Sequence, residues 1–506
     1  MANANVFYQI YMQHKEIYEL LAILTDCERN NLVLIIKSNR AKMLNDLVVF
    51  LLSQNELPTK EQVLKALYKK EKPNSESAYQ RIITRAVSDI LELLNYFIKK
   101  ETKEFDEIDI AKIEIHQKSA LLQFLVAKKS KITLIGTLRD EIIASATEFE
   151  FYPILIEQLY LKKFHSSLLE GETAYFEFEK EIAHFESCLY SIRKANELFN
   201  ILKMKSLKTS VHDKKTFGKL LRKHLNILIS EYKISKSPTV QYFLFQHQLS
   251  LCYLDKKYVG AKRKCLQLKK IVEENKSINR IDRAGIIYDN LAKCDAYLLN
   301  YSQAIIWSKN AQLCFKAGSR NYWVSLDQEL LINIYQRNIP KAEQILVEIY
   351  KYQKNDKSVL ERDTLLFYNA ILCLEKGHYS KALSFLEERN EITKDAIGWD
   401  FWTRIITIYL NVLLGKDDVA LKGVVSIKKQ MQRISVNKEF RERDILVFKI
   451  ILELSKNGFL VHQQIPKIKA LLLQLKEPEN VWEPFTAEVI PFENLLNIKF
   501  KKYKNV

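Results

Sequence analysis

An all-α fold is predicted, in which helical hairpins stack as a repeat solenoid behind an N-terminal helical module. Three observations carry that expectation. Small residues recur through the second half of the chain, where Ala261, Ala304, Ala342, Ala382 and Ala420 are 43, 38, 40 and 38 residues apart. Gly (11) and Pro (9) make up about 4% of the 506 residues, against roughly 12% on average. Strand-rich and α/β folds need turn residues in quantity, and helical hairpins do not. Apolar residues also recur at three-to-four spacing, the period of a helix that buries one face.

The repeat is clearest in Tyr288–Phe315, which reads as two helices packed back to back. Leu291, Ala292 and Asp295 mark one face of the first helix, and Ala304 and Ala311 one face of the second. Each spaced alanine is expected to open the second helix of a hairpin. Tyr258, Tyr301, Ile339 and Tyr379 stand three residues before four of them, where a bulky side chain fills the wedge beside the turn, and Asp417 takes that place in the fifth. Gly377 and Gly415 sit just past a first helix, where a left-handed residue is cheapest as glycine.

These features resemble the tetratricopeptide-repeat (TPR) superfamily, most clearly in Tyr288–Phe315 and in Leu365–Glu388, over about 240–430. The period is nearer 40 than the family's usual 34, and the usual proline after the second helix is absent, so the resemblance is to a divergent, TPR-like array. It implies a right-handed superhelix whose first helices line a groove. Carried over by position, the lining is Gln246, Ser250, Tyr253, Asp289, Lys293, Tyr297, Asp327, Leu331, Tyr335, Phe367, Ile371 and Tyr409. The Lys/Asn/Arg clamp by which some members grip a terminal carboxylate is missing. A mixed aromatic and polar lining fits an extended peptide or an amphipathic helix. The chain is also similar to bacterial proteins with a helical N-terminal module and repeats behind it.

Taken in order, residues 1–100 read as the helical module, 101–240 as a long-helix region continuous with the array, 241–435 as the repeats, and 436–506 as capping helices and tail. In the module, helices are expected over Val6–Leu24, around Asn31–Lys37, over Ala41–Leu52 with Met43, Leu44, Leu47, Val48 and Leu51 on one side, from Pro58-Thr59 on, and over Ser77–Lys100. Thr59 and Gln62 have the spacing of a capping box. Arg81 and Arg85 lie one turn apart near the start of the last helix. The module reads as a cap over the first apolar face of the array or as a helix-turn-helix reading DNA. The missing glycine turn between short helices favours the cap.

Glu101–Asp109 reads as a solvated acidic linker. Long helices follow, with Pro153 near the start of one and Gly171 at its end, and Ala174–Lys205 as one long helix or two joined by a kink. Tyr152, Tyr160, Phe164, Tyr175, Phe176, Phe178, Phe185 and Tyr190 are expected to pack between helix pairs. The tail around Trp482, Pro484, Phe485 and Pro491 is expected to run extended and dock back on the array.

Several chemistries are excluded or left without support. No two glycines are closer than Gly415 and Gly423, so dinucleotide, Walker A and nucleophile-elbow loops are absent. The seven cysteines make no Cys-x-x-Cys pair, and the nine histidines make no His-Glu-x-x-His or zinc spacing. No cofactor, metal or catalytic residue is expected. An odd, unpatterned cysteine count, no signal-peptide pattern and no long apolar run place the chain in the cytoplasm, without a membrane span.

The formal charge is +17, and Lys203–Lys236 holds ten basic residues against Asp213 and Glu231. Lys214, Lys215, Lys219, Arg222 and Lys223 form its candidate anion patch. It lacks interleaved aromatics, so it reads as a solvated helix face or as a phosphate-binding surface. The function expected is a non-catalytic scaffold or adaptor that binds a protein or peptide. The alternative is a nucleic-acid-associated regulator that uses the N-terminal module or residues 203–236, with the repeats as sensor.

Overall fold

The computed structural model describes residues 14–22, 26–38, 42–54, 56–68, 83, 105–130, 132–208, 214–352, 359–389, 397–434, 440–456, 458–459 and 465–496. Every regular element among them is a helix. The chain divides into two compact units, Met1–Phe105 and Asp106–Val506.

In the first unit, α1 (His14–Ala22), α2 (Asp26–Ser38), α3 (Lys42–Leu52) and α4 (Lys60–Tyr68) surround a core of Ile17, Leu21, Leu32, Ile36, Leu44, Leu47, Val48, Leu51, Val63 and Ile83. Met43, expected on that side, is exposed. The capping box at the start of α4 is formed: Thr59 N–H donates to Gln62 Oε1 at 2.7 Å, and Gln62 N–H returns to Thr59 Oγ1 at 3.4 Å. The helix expected over 77–100, with Arg81 and Arg85, lies outside the described residues apart from Ile83.

The second unit begins with α5 (Glu107–Ala127), α6 (Ile132–Glu148), α7 (Tyr152–Glu170), α8 (Glu172–Lys208) and α9 (Lys214–Ser235). Helix α8 is a single 37-residue helix, which settles the choice between one helix and two. Pro153 opens α7 and Gly171 ends it. Five of the eight aromatics expected between helix pairs are instead exposed: Tyr160, Phe164, Tyr175, Phe176 and Tyr190. Two helices of a pair bury only the stripes that face each other, and these rings lie off the stripe marked by Leu155, Leu159, Ile182 and Cys188. The acidic linker is likewise not merely solvated in its second half. Arg280 pairs with Asp109 at 3.0 Å and with Asp106 at 3.5 Å, and Asp106 also accepts from Ile281 N–H, so these acids clamp the start of the helix Ile281–Tyr297.

Among the described residues six hairpins follow. Their first helices are α10 (Pro238–Leu254), α12 (Ile281–Tyr297), α14 (Arg320–Tyr335), α16 (Val359–Glu375), α18 (Trp399–Leu413) and α20 (Glu442–Ser455). Their second helices are α11 (Tyr258–Glu274), α13 (Tyr301–Cys314), α15 (Ile339–Tyr352), α17 (Tyr379–Glu387), α19 (Asp417–Ile434) and α21 (Ile465–Gln474). The five spaced alanines are all fully buried, each three residues into its second helix. A methyl group there lets two helix backbones approach closely, and a larger side chain would overpack the crossing.

The turns of the first five hairpins share one geometry. Lys256, Leu299, Arg337, Gly377 and Gly415 are left-handed, with φ between +55° and +77°. The next N–H in each case reaches back to the carbonyl five residues earlier, at 2.8–2.9 Å. This is the Schellman closure, which satisfies carbonyls that a helix end leaves open.

Asp295, in α12, ties neighbouring hairpins together. It is fully buried and accepts from Lys262 Nζ at 2.7 Å, Trp307 Nε1 at 3.1 Å and Asn300 Nδ2 at 3.3 Å. Gly285 allows a second close approach, since a Cβ there would lie 2.5 Å from Phe315 Cε1.

Candidate functional site

The first helices of the hairpins at Ile281–Tyr297 and Arg320–Tyr335 present the same positions one repeat apart. Asp289 and Lys293 lie on one, and Asp327 and Leu331 on the next. With Ile286, Asn290, Val324 and Gln328 they line a cavity of about 360 Å³, completed by Tyr368, Trp399, Phe485 and Thr486. A second cavity, of about 340 Å³, lies beyond Thr486 and is lined by Tyr253, Tyr258, Tyr297, Trp399, Arg441, Asp444 and Glu483, among others. The two share Trp399 and Thr486.

Between them runs a short strap of the chain's own C-terminal segment. Phe485 N–H donates to Tyr335 Oη at 2.7 Å, across 150 residues of sequence. The Trp482 and Phe485 rings meet Tyr335 edge to face, at 5.0 and 5.8 Å between centroids, and Phe485 also meets Tyr297. Tyr258 Oη donates to Glu483 at 3.1 Å, and Lys256 Nζ pairs with Glu483 at 2.9 Å. The tail therefore docks back as expected, but it does not run extended there: the chain turns at Pro484-Phe485, with Phe485 left-handed at φ +59°. It is anchored further along by Arg443, 5% exposed, whose guanidinium makes two 2.6 Å bonds to Glu488 and a 2.7 Å bond to Glu493.

Six of the ten candidate groove residues come together at this face. Tyr253 and Tyr297 line the second cavity, where Tyr297 stacks on Tyr258 at 4.1 Å. Asp289, Lys293 and Asp327 line the first, and Tyr335 holds the strap. The other four lie elsewhere. Gln246 is buried against Tyr242 Oη at 3.2 Å, and Ser250 donates to Gln246 O along its own helix. Phe367 is buried against Trp399, and Tyr409 donates to Leu495 O beneath the C-terminal segment. Of the two further lining positions, Leu331 reaches the first cavity and Ile371 is core.

Trp399, Tyr368 and Glu483 were not among the expected residues. Trp399 opens its helix, and Glu483 lies outside the repeats, so periodicity in the hairpins does not reach them.

The electrostatics of the first cavity are unusual. Asp289 and Asp327 have no Lys or Arg partner among the described residues. A neutral hydroxyl stands near each, of Ser325 and Tyr368 respectively, and favours the charged form less than burial disfavours it. The Oδ1 atom of each is buried without a hydrogen-bond partner. Burial pushes the Asp289 carboxyl up to about 7 and that of Asp327 to about 6. Lys293 makes no ion pair among the described residues. Its Nζ lies 5.2 Å from the Tyr253 ring centroid, and burial lowers its pKa.

The basic patch differs from this site. Lys219, Arg222 and Lys223 are exposed on α9, whose opposite side buries Leu221, His224, Leu225 and Leu228. Arg222 lies 3.5 Å from Asp255. Lys214 and Lys215 belong to the same helix, but their side chains lie outside the described residues. Among the described residues no group of three or more His, Cys, Asp or Glu is placed to hold a metal, and no helix is long and apolar enough to cross a membrane.

No family model matches the sequence, and no curated protein matches it. Solved structures do match. A tetratricopeptide repeat protein from Parabacteroides merdae is similar with a TM-score of 0.38 at 14% identity, over 61% of this chain and 99% of that one. A signal transduction ATPase with numerous domains, carrying a tetratricopeptide repeat sensor, from Pyrococcus horikoshii is similar with a TM-score of 0.37 at 12% identity, over 86% of this chain and 67% of that one. Structural matches to TPR proteins thus extend over most of the chain, at low sequence identity.

Proposed function

We propose that this chain is a non-catalytic protein- or peptide-binding scaffold. Its binding face is the one formed by Tyr253, Tyr258, Asp289, Lys293, Tyr297, Asp327 and Tyr335. The observation that carries this reading is the strap. A segment that turns at Pro484-Phe485, with an acidic residue between two aromatics, sits on these tyrosines, donates a backbone N–H to one of them and sets its carboxylate on another and on Lys256. Main-chain bonds that supply affinity and side-chain contacts that supply selectivity are the elements of peptide recognition in a groove. Cavities remain on both sides of the strap, so a longer segment fits the same face.

A tethered strap competes at an effective concentration on the order of millimolar. A free peptide of equal intrinsic affinity therefore loses to it. The test is a fluorescent peptide of residues 479–488, titrated by anisotropy into the full chain carrying W482A and F485A. Binding at micromolar Kd is expected, at least about tenfold tighter than to the wild type, and lost when Tyr297 and Tyr335 are also changed to Ala. No binding to the strap variant rejects the groove reading.

A further inference from the structure

We propose that the cavity between Asp289 and Asp327 is a binding site for a compact organic cation, an ammonium or guanidinium group carried by a free amine or by a basic side chain of a bound peptide. The proposal deepens the groove reading by giving one end of the ligand a charge.

The argument starts from cost. A carboxylate taken out of water without a cation or enough donors destabilises the fold, and it ordinarily acquires a partner. Here two are held one repeat apart, each with its Oδ1 atom buried and without a hydrogen-bond partner. The fold has lysines and arginines in excess, yet none among the described residues pairs with either acid. Lys293 is on the same wall, and its ammonium lies instead against the Tyr253 ring.

The remaining walls add the second requirement of cation recognition. Trp399, Tyr368 and Phe485 bring aromatic surfaces to the same cavity as the acids. Aromatic faces attract a cation most strongly where water is excluded. At about 360 Å³ the cavity accommodates an arginine or lysine side chain, and lies at the small end of ligand pockets, which run from about 300 Å³. An anion placed there would meet two carboxylates and one ammonium that is already engaged. A neutral apolar group would leave both Oδ1 atoms unsatisfied.

The test is isothermal titration calorimetry on the full-length protein at pH 8 with three probes: agmatine, the capped peptide acetyl-Gly-Arg-Gly-amide, and glutarate as an anionic control. Agmatine is expected to bind and glutarate not. Asp289→Asn and Asp327→Asn should each weaken agmatine by about tenfold or more, the loss of one charged hydrogen bond. Affinity should also fall between pH 8 and pH 6, as the carboxyls take up protons. Both variants are near-isosteric and remove an uncompensated charge, so each is expected to melt no lower than the wild type. That readout separates a lost site from a lost fold. Binding of the peptide as well as agmatine assigns the cation to a side chain, and agmatine alone assigns it to a free amine. Glutarate binding in their place, no binding at millimolar concentration, or unchanged affinity in both Asn variants overturns the proposal. Failure of the residue 479–488 peptide with agmatine still bound would reject the groove reading and leave this site standing.

Discussion

Between Lys203 and Lys236 ten basic residues fall on the end of α8, along α9 and just past it, whereas in the C-terminal part of the chain Arg443 stands in the core. Lys219, Arg222 and Lys223 are exposed, and Arg222 lies 3.5 Å from Asp255. Arg443 is 5% exposed and bonds to Glu488, Glu493 and the carbonyl of Asn480 at once. The comparison teaches that the count of charges says little about their structural weight. An exposed pair is screened and contributes at most about 1 kcal/mol, while a buried charge that loses its partner costs several.

The largest effect is therefore expected at Arg443. Arg443→Ala leaves Glu488, 1% exposed, without its hydrogen-bonded cation, with only the more distant Arg441 acting on it. We expect a loss of about 3–5 kcal/mol in urea unfolding, with a change in Trp482 fluorescence as the strap loses its anchor. A loss under about 1 kcal/mol would mean that the buried arginine behaves like a surface one, and the comparison would fail.

Next comes a buried group beneath the basic helix. His247 is fully buried, with Nδ1 2.8 Å from Phe243 O and Nε2 without a partner. Burial pushes its pKa down to about 4, and the His224 ring, 5.6 Å away, adds to the shift. The unfolded chain then binds more protons than the folded one between about pH 6.5 and 4. Stability is lost as pH falls through that window, by up to about 3 kcal/mol. His247→Gln should remove this loss. Asp289 and Asp327, whose carboxyls are raised, act with the opposite sign, because the stability they contribute is present at low pH and is lost as pH rises through about 6–7. Comparing H247Q with wild type at pH 7.5 and pH 5 isolates the histidine, and equal changes in the two proteins would remove it as a source of acid sensitivity.

The hairpins were legible because their signals are local. A buried alanine at each crossing and a bulky residue three positions earlier mark each second helix, and four of those five starts are Tyr or Ile. Two of the five left-handed turn residues were legible as glycines, Gly377 and Gly415. The other three, Lys256, Leu299 and Arg337, adopt the same conformation with nothing in their identity to announce it. The candidate site was half legible. Tyr253, Tyr297, Tyr335 and the two aspartates follow from repeat position, but Tyr368, Trp399 and the strap reach it through tertiary folding. Phe367 and Tyr409 occupy first-helix positions and are nevertheless buried, because Trp399 covers one and the C-terminal segment the other. Position within a repeat gives the face of a helix and leaves open what later chain will cover it. For the same reason the exposed aromatics of α7 and α8 were mistaken for core, since density of aromatic residues does not distinguish a facing stripe from an outward one.

The smallest effect on stability is expected at the basic patch, and there the measurement of interest is binding. Reversing Lys219, Arg222 and Lys223 to Glu alters three solvated side chains and one long ion pair, so unfolding should shift by no more than about 0.5 kcal/mol per site. Long-range electrostatics respond differently, because each reversal changes the local field by two charges in a segment that starts at a net of +8. Retention on heparin should therefore move to lower salt, as expected for any surface that holds phosphates or sulfates through counterion release. Binding of the 479–488 peptide to the strap variant should stay as it was, because its contacts are with tyrosines and with Lys256 on another face. If the reversal abolishes capture of nucleic acid from a lysate while the peptide still binds, the chain has two separable surfaces and the regulator reading gains its footing. If heparin retention does not move, α9 is a solvated face and the weight of function rests on the groove.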